Sequence, residues 1–156
     1  MLSFRLWSSL YFLIQYHVRV LNSEERCPCL SGEQYGACCE PIHQGHRKAT
    51  TAEQLMRSRY SAFFCGDSAY LLDSWHPDTR PHELHPDETI RWVRLDIVTT
   101  HAGRMFDTEG TVEFRAYYRT LPASGEQSQR GEIHEVSRFS RVDGRWLYVD
   151  GISDLL

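Results

Sequence analysis

Four of the five cysteines in this chain fall within thirteen residues, as Cys27-Pro-Cys29 and Cys38-Cys39, in the pattern C-x-C-x8-C-C. A disulfide framework spreads its cysteines to tie distant segments together, and neighbouring cysteines satisfy disulfide geometry poorly with each other. Four thiolates meeting at one point suit a tetrahedral ion, and zinc accepts sulfur ligands without redox chemistry. A site closed by four protein ligands leaves no position for water or substrate, so the expected Zn2+ is structural. Redox-active or merely exposed thiols and iron–sulfur ligation are the competing readings; adjacent Cys38 and Cys39 fit a cluster poorly. His43 and His46 follow closely and are read as supporting residues, because four sulfurs already complete the set. In a segment so short of apolar residues, metal binding would supply folding free energy on the order of 10 kcal/mol. Replacing Cys29 with Ser is therefore expected to release the ion and loosen the segment before Thr50, while the rest stays folded.

The elements around these cysteines follow from periodicity. Residues 24–46 are rich in Cys, Gly and Pro and read as loops organised by an ion, a knuckle distinct from a main domain over 47–156. Thr50 or Thr51 supplies an N-cap, and Leu55, Met56, Tyr60, Phe63 and Phe64 give the following helix, to about residue 64, one buried face. Gly66-Asp67 stops it. A second short helix is expected over 68–75 and a third from 86 or 87 to 92. The period then changes to two. Val93, Leu95 and Ile97 alternate with charged residues; Val112, Phe114, Ala116 and Tyr118 share one face, with Glu113, Arg115, Tyr117 and Arg119 on the other. Another strand runs over about 133–142, Asp143-Gly144 makes a tight hairpin turn, and 145–149 returns. Helices followed by an antiparallel meander give an α+β fold.

Composition bounds the rest. With 156 residues, 41% apolar and 24% charged, the chain is an ordinary globular one with a single main core. Its net charge of −4, without a run of Lys and Arg, argues against general nucleic-acid binding. Clustered, reduced cysteines fit a cytoplasmic setting. Residues 1–23 form an N-terminal arm whose uncharged stretch 6–18, bounded by Arg5 and Arg19, is too short for a stable membrane span; a targeting segment and a plain extension both stand open.

The stretch Cys27-Pro-Cys-Leu-Ser-Gly-Glu-Gln-Tyr-Gly-Ala-Cys-Cys resembles the SEC-C zinc motif. With Thr51-Ala-Glu-Gln-Leu-Met-Arg-Ser-Arg-Tyr-Ser-Ala-Phe63, Trp75-His-Pro-Asp-Thr-Arg-Pro81 and Gly144-Arg-Trp-Leu-Tyr-Val-Asp-Gly151, the chain resembles the bacterial YchJ family over residues 27–151. The resemblance implies a SEC-C knuckle followed by a nuclear-transport-factor-2-like domain, in which a curved antiparallel sheet and helices enclose a cone. It implies architecture and no particular activity. Two departures stand out: Leu30 where the motif usually has Gly, and the long arm before Cys27.

Such a cone would draw its lining from the first helix and one face of the sheet, with Arg59, Tyr60, Trp75, His76, Glu113, Arg115, His134, Glu135 and Arg138 as candidate polar groups. Two readings follow. In the first, the chain is a non-enzymatic zinc protein whose knuckle meets a protein or ribonucleoprotein partner while the cone is a scaffold or holds a small ligand. In the second, it is a small hydrolase or isomerase using His134 with Glu113 or Glu135 as an acid–base pair. The direction of Glu113, Arg115 and His134 discriminates them, since cross-strand ion pairs on the outer face would give the same composition.

Overall fold

The computed structural model describes residues 19–122 and 125–153; the arm's uncharged stretch 6–18, and the targeting reading attached to it, lie outside them. A 3-10 turn over Tyr35–Ala37 and a short helix α1 (Glu40–His43) belong to the knuckle, where loops alone are expected from sequence. Two helices follow, α2 (Ala52–Cys65) and α3 (Ser68–Asp73), then four strands: β1 (Ile90–Ala102), β2 (Glu109–Thr120), β3 (Arg130–Val142) and β4 (Arg145–Ser153). The strands form one antiparallel meander in the order β1-β2-β3-β4.

Helix α2 begins where the Thr51 hydroxyl accepts the Gln54 N–H at 3.1 Å, and the Gln54 side chain reaches back to the Thr50 N–H at 2.8 Å. Two otherwise orphaned donors are thereby satisfied. The helix ends at Gly66, which takes φ +74°, while the Asp67 N–H returns to the Ala62 carbonyl at 2.9 Å. Asp67 at once caps α3 through the Tyr70 N–H, 3.0 Å away. The end of α3 is tied to β4, because Tyr148 donates its N–H to Ser74 and accepts one from His76.

The helix expected from 86 or 87 to 92 does not form. Asp87 accepts both the N–H and the hydroxyl of Thr89, at 2.8 and 2.6 Å, and this local turn delivers the chain directly into β1 at Ile90. The expected alternation in β1 also breaks. A bulge between Trp92 and Arg94 leaves Val93 50% exposed while Leu95 is 3% exposed, so the two do not share a face. Further irregularities between Ile97 and Thr99 and between Arg138 and Phe139 bend the sheet over α2. In β2 the alternation is regular, and Val112, Phe114 and Ala116 are buried.

The buried residues form one cluster. It runs from Cys27, Cys29, Cys39 and Ile42 in the knuckle, through Leu55, Met56 and Tyr60 of α2, to Val112, Phe114, Phe139 and Trp146 of the sheet. The hairpin joining β1 and β2 is pinned against the start of α2, where the Ala52 N–H donates to the Gly103 carbonyl at 2.9 Å. Backbones are close enough there that a Cβ on Gly110 would lie 2.4 Å from the Gly103 Cα. Among the described residues, no helix is long and apolar enough to cross a membrane. A Gly110→Ala substitution forces these backbones apart and is expected to cost about 1–3 kcal/mol, measured as a lower denaturation midpoint in urea.

Candidate metal centre and cavity

The knuckle brings its cysteines together by two reversals. Leu30 donates its N–H to the Cys27 carbonyl at 3.1 Å, and Cys27 donates its own to the Glu33 carbonyl at 2.9 Å, so the chain folds back on itself. The 3-10 turn and α1 then present Cys38 and Cys39 from the opposite side. All four sulfurs lie within 4.8 Å of one another, with Cys29 and Cys38 at 3.6 Å and Cys38 and Cys39 at 3.8 Å. A tetrahedron with 2.3 Å metal–sulfur bonds has edges of about 3.8 Å; the Cys29–Cys38 and Cys38–Cys39 edges are close to that value, so the four cysteines could hold one metal ion. Three of the sulfurs belong to buried residues and Cys38 is half-buried; none of the described cysteines is in a disulfide.

Electrostatics point the same way. A hydrogen bond from Cys27, then one from Cys39, holds Cys29 far below the ordinary thiol range, and a bond from Cys39 brings Cys38 down to about 7. The donors move oppositely: the bond to Cys29 pushes Cys27 up to about 12, and the bond to Cys27 raises Cys39 further. Four thiols this close cannot all ionise alone, and a bound cation is what would let them.

Helix α2 supports the centre from beneath. The buried Ser61 hydroxyl donates to the Cys39 sulfur at 3.5 Å and lies 3.6 Å from that of Cys27. Arg57, held by Glu53 at 2.8 Å, donates to the Cys29 carbonyl at 2.8 Å. Arg47 donates to the carbonyls of Ala37 and Cys38, and Ser31 lies 3.2 Å from the Cys38 sulfur. His43 spans knuckle and helix: Nε2 meets the Ser58 carbonyl at 2.8 Å and Nδ1 meets the Tyr35 hydroxyl at 2.9 Å. A carbonyl only accepts, so Nε2 carries the proton and Nδ1 accepts from Tyr35. Arg57, Ser58 and Ser61 repeat at helical spacing after the cysteines, and that spacing was the available sequence signal for a face turned to the knuckle.

A cavity of about 260 Å³ lies between α2 and the concave face of the sheet. Met56, Arg59, Tyr60 and Phe63 line it from the helix, and Trp92, Phe114, Ala116, Ile133, Glu135 and Ser137 from the strands; Trp75, Leu84 and Tyr148 complete the wall. Arg59 is 3% exposed, donates from Nη1 to the Leu71 carbonyl and the Ser74 hydroxyl, both at 2.7 Å, and lies over the rings of Trp75 and Tyr148 at 5.0 and 4.4 Å. Burial lowers its guanidinium to about 10, which leaves it protonated at neutral pH. Glu135 accepts from Ser137 at 2.6 Å and from the Tyr148 hydroxyl at 3.1 Å, and burial pushes that phenol up. Gly151 makes room for this carboxylate, since a Cβ there would sit 2.0 Å from it.

The nine candidate polar residues thus divide. Arg59, Tyr60, Trp75 and Glu135 line the cavity. Glu113, Arg115, His134 and Arg138 stand on the outer face, because strand alternation in β2 and β3 turns them away from Phe114, Ala116, Glu135 and Ser137. His134 meets Glu113 at 2.7 Å, Arg115 meets Glu132 at 2.8 Å, and Arg138 meets Asp150 at 2.6 Å. His76 lies outside the lining and bonds to β4 through its backbone. The acid–base pair of His134 and Glu113 exists as a contact, but not within the cavity. Ser137 and Tyr148 are lining residues the sequence reading missed, although Ser137 sits two residues from Glu135 on the same face.

Two outcomes follow from the knuckle's geometry. Leu30 takes φ +58° and is 53% exposed, a left-handed conformation that costs a side-chain-bearing residue about 1–2 kcal/mol. After the greater unfolded-state entropy of glycine is deducted, Leu30→Gly is expected to raise stability by about 0.5–1 kcal/mol in chemical denaturation. The second concerns His43, whose burial holds its imidazole below the ordinary histidine value of about 6.5. The unfolded state then takes up a proton first, so the stability His43 contributes is present above about pH 6.5 and is lost as pH falls through its folded value. The slope of unfolding free energy against pH between 7 and 5.5 should be shallower in His43→Gln than in the parent protein.

Comparison with known proteins places these features in a family. Residues 25–41 match the SEC-C motif, and residues 51–151 match the middle NTF2-like domain of YchJ. A UPF0225 protein of Streptomyces coelicolor is 51% identical over 125 residues, spanning 80% of this chain and 93% of that one. A UPF0225 protein of Corynebacterium glutamicum is 50% identical over 130 residues, 83% and 98% of the two chains. The solution structure of a SEC-C motif containing protein from Rhodopseudomonas palustris is similar at a TM-score of 0.67 and 32% identity, covering 81% of this chain and 96% of that one. A crystal structure of a SEC-C motif containing protein from Psychrobacter arcticus matches at a TM-score of 0.64 and 27% identity, covering 82% of each. With a SEC-C cysteine cluster leading into an NTF2-like domain, this chain belongs to the UPF0225 (YchJ) family.

Proposed function

We propose that this protein is a non-enzymatic zinc protein in which one structural Zn2+, held by Cys27, Cys29, Cys38 and Cys39, fixes the knuckle on a cone-shaped scaffold for contact with a protein or ribonucleoprotein partner. The convergence of the four sulfurs within 4.8 Å of one another supports the zinc reading. Zinc suits four thiolates, and a complete sulfur set leaves no coordination position for a reacting water. The partner reading is supported by placement: the exposed Leu30 turn stands at the rim of a knuckle whose inner side is committed to α2. The enzymatic alternative has less support, since the candidate pair His134 and Glu113 lies on the outer face.

The test begins with metal analysis of the purified full-length protein, which should give one zinc per chain with four sulfurs near 2.3 Å by X-ray absorption. Replacing Cys29 with Ser should reduce bound zinc severalfold and lower the midpoint of a single unfolding transition, because the buried cluster passes without a break from the knuckle into the helix and sheet. A partner captured through the knuckle should be lost in the same variant. Iron or no metal in the parent protein, or zinc retained by the variant, would refute the zinc assignment.

A further inference from the structure

Antiparallel pairing brings three arginines to one level of the sheet. Arg91 of β1 stands opposite Arg119 of β2, and Arg119 stands opposite Arg130 of β3. Paired residues share a face, and the neighbouring level fixes which one. Trp92 and Tyr118 meet there with ring centroids 5.7 Å apart, and Trp92 lines the cavity, so the arginines take the outer face. Gly131, opposite Tyr118, agrees with this division, because a Cβ on it would lie 2.4 Å from the Tyr118 ring. All three arginines are exposed. Strands lie about 4.8 Å apart, so the row spans about 10 Å.

Like charges directly opposite one another across strands are destabilising. At the following levels of the outer face each arginine has a carboxylate: Arg94 with Asp96, Arg115 with Glu132 and Arg138 with Asp150. The row at the end of the sheet has none. Among the described residues, Arg119 and Arg130 make no side-chain hydrogen bond or ion pair, and Arg91 donates to the carbonyls of Glu88 and Ile90 at 2.7 and 3.0 Å. Glu132, two residues from Arg130, is bonded to Arg115. Glu88 and Glu126, in the adjoining loops, form no ion pair among the described residues. Three uncompensated positive charges thus stand together in a chain whose net charge is −4.

Guanidinium groups are planar and donate in pairs, which matches carboxylates and phosphates. Two features favour carboxylates on a short segment. The next two levels bring in Glu132 and Asp96, so a long polyanion running along the face would meet like charge. Tyr117, at the level beside the row, has Arg94 over its ring at 5.1 Å and is not an open platform for a stacked base. We propose that the row of Arg91, Arg119 and Arg130 is a docking site for a short acidic segment of a partner protein, whose carboxylates supply the countercharge this face lacks. The site belongs to the sheet, so it is a surface separate from the knuckle and does not rest on which metal the knuckle holds.

The test follows fluorescence anisotropy of three labelled probes titrated with the full-length protein at low salt: hexaglutamate, hexaglutamine and hexauridylate. Hexaglutamate should bind saturably and weaken as salt is raised, and hexaglutamine should not bind. Arg119→Gln and Arg130→Gln should each weaken hexaglutamate about two- to fivefold, the range for one exposed ion pair, and more together. Arg104→Gln, an equal change of charge in the hairpin at the other end of the sheet, should leave binding unchanged. No saturable binding of hexaglutamate, equal binding of hexaglutamine, or equal weakening by Arg104→Gln would each overturn the proposal. Tighter binding of hexauridylate than of hexaglutamate would overturn it in favour of a nucleic-acid surface. The probe comparisons use the parent protein and decide the matter even where a variant fails to fold.

Discussion

The rest of the structure depends on the meeting of four cysteine sulfurs above one face of α2. The knuckle has few apolar side chains of its own, so its path is set by where those sulfurs must go. Its inner surface is correspondingly polar: Ser61 reaches two of the sulfurs, Arg57 takes the Cys29 carbonyl, and His43 takes the Ser58 carbonyl. Hydrogen bonds from outside a ligand set orient ligands and tune their basicity. Here they act beside the apolar contacts of the buried cluster, which runs from Tyr35 and Ile42 of the knuckle into α2 and the sheet.

A buried polar seam of this kind is stable only when every member is satisfied. Ser58 shows how closely the accounting works: its carbonyl receives His43, its hydroxyl donates to the Leu55 carbonyl at 2.7 Å, and it meets the Tyr70 hydroxyl at 2.6 Å. Because its single proton goes to Leu55, Tyr70 must donate to it. A serine with no exposed surface thus links the knuckle, α2 and α3, and a residue of small volume acquires a positional role that size alone would not suggest.

Legibility in the sequence followed the range of the physical constraint. The cysteine spacing, the Thr51 cap, the Gly66 stop and the Asp143-Gly144 turn are local, and each is read from a few neighbouring residues. Regular period-two alternation in β2 and β3 also divides Glu113 and His134 from Glu135, so the outer position of that pair was available from sequence once the concave face was chosen. What was not available was the bulge at Trp92 and Arg94, which depends on how β1 must bend across α2, and the short turn at Asp87 that replaces a third helix. Nor does spacing reveal that Trp75, Tyr148 and Arg59 stack, since they come from three elements brought together only by the fold.

The cysteine cluster and the cavity share a single helix of 14 residues. Arg57, Ser58 and Ser61 face the knuckle, while Met56, Arg59, Tyr60 and Phe63 line the cavity, two stripes interleaved at helical spacing. Neither stripe can rotate without the other, so the sulfur contacts that fix one side of α2 also fix the side chains on the other. The start of the helix is pinned by the β1–β2 hairpin at Ala52 and its end by the Gly66 cap, and its rotation is fixed on one side by the knuckle and on the other by Arg59, bonded to Leu71 and Ser74. Through that shared helix the cysteine cluster bears on the shape of a cavity to which it contributes no side chain.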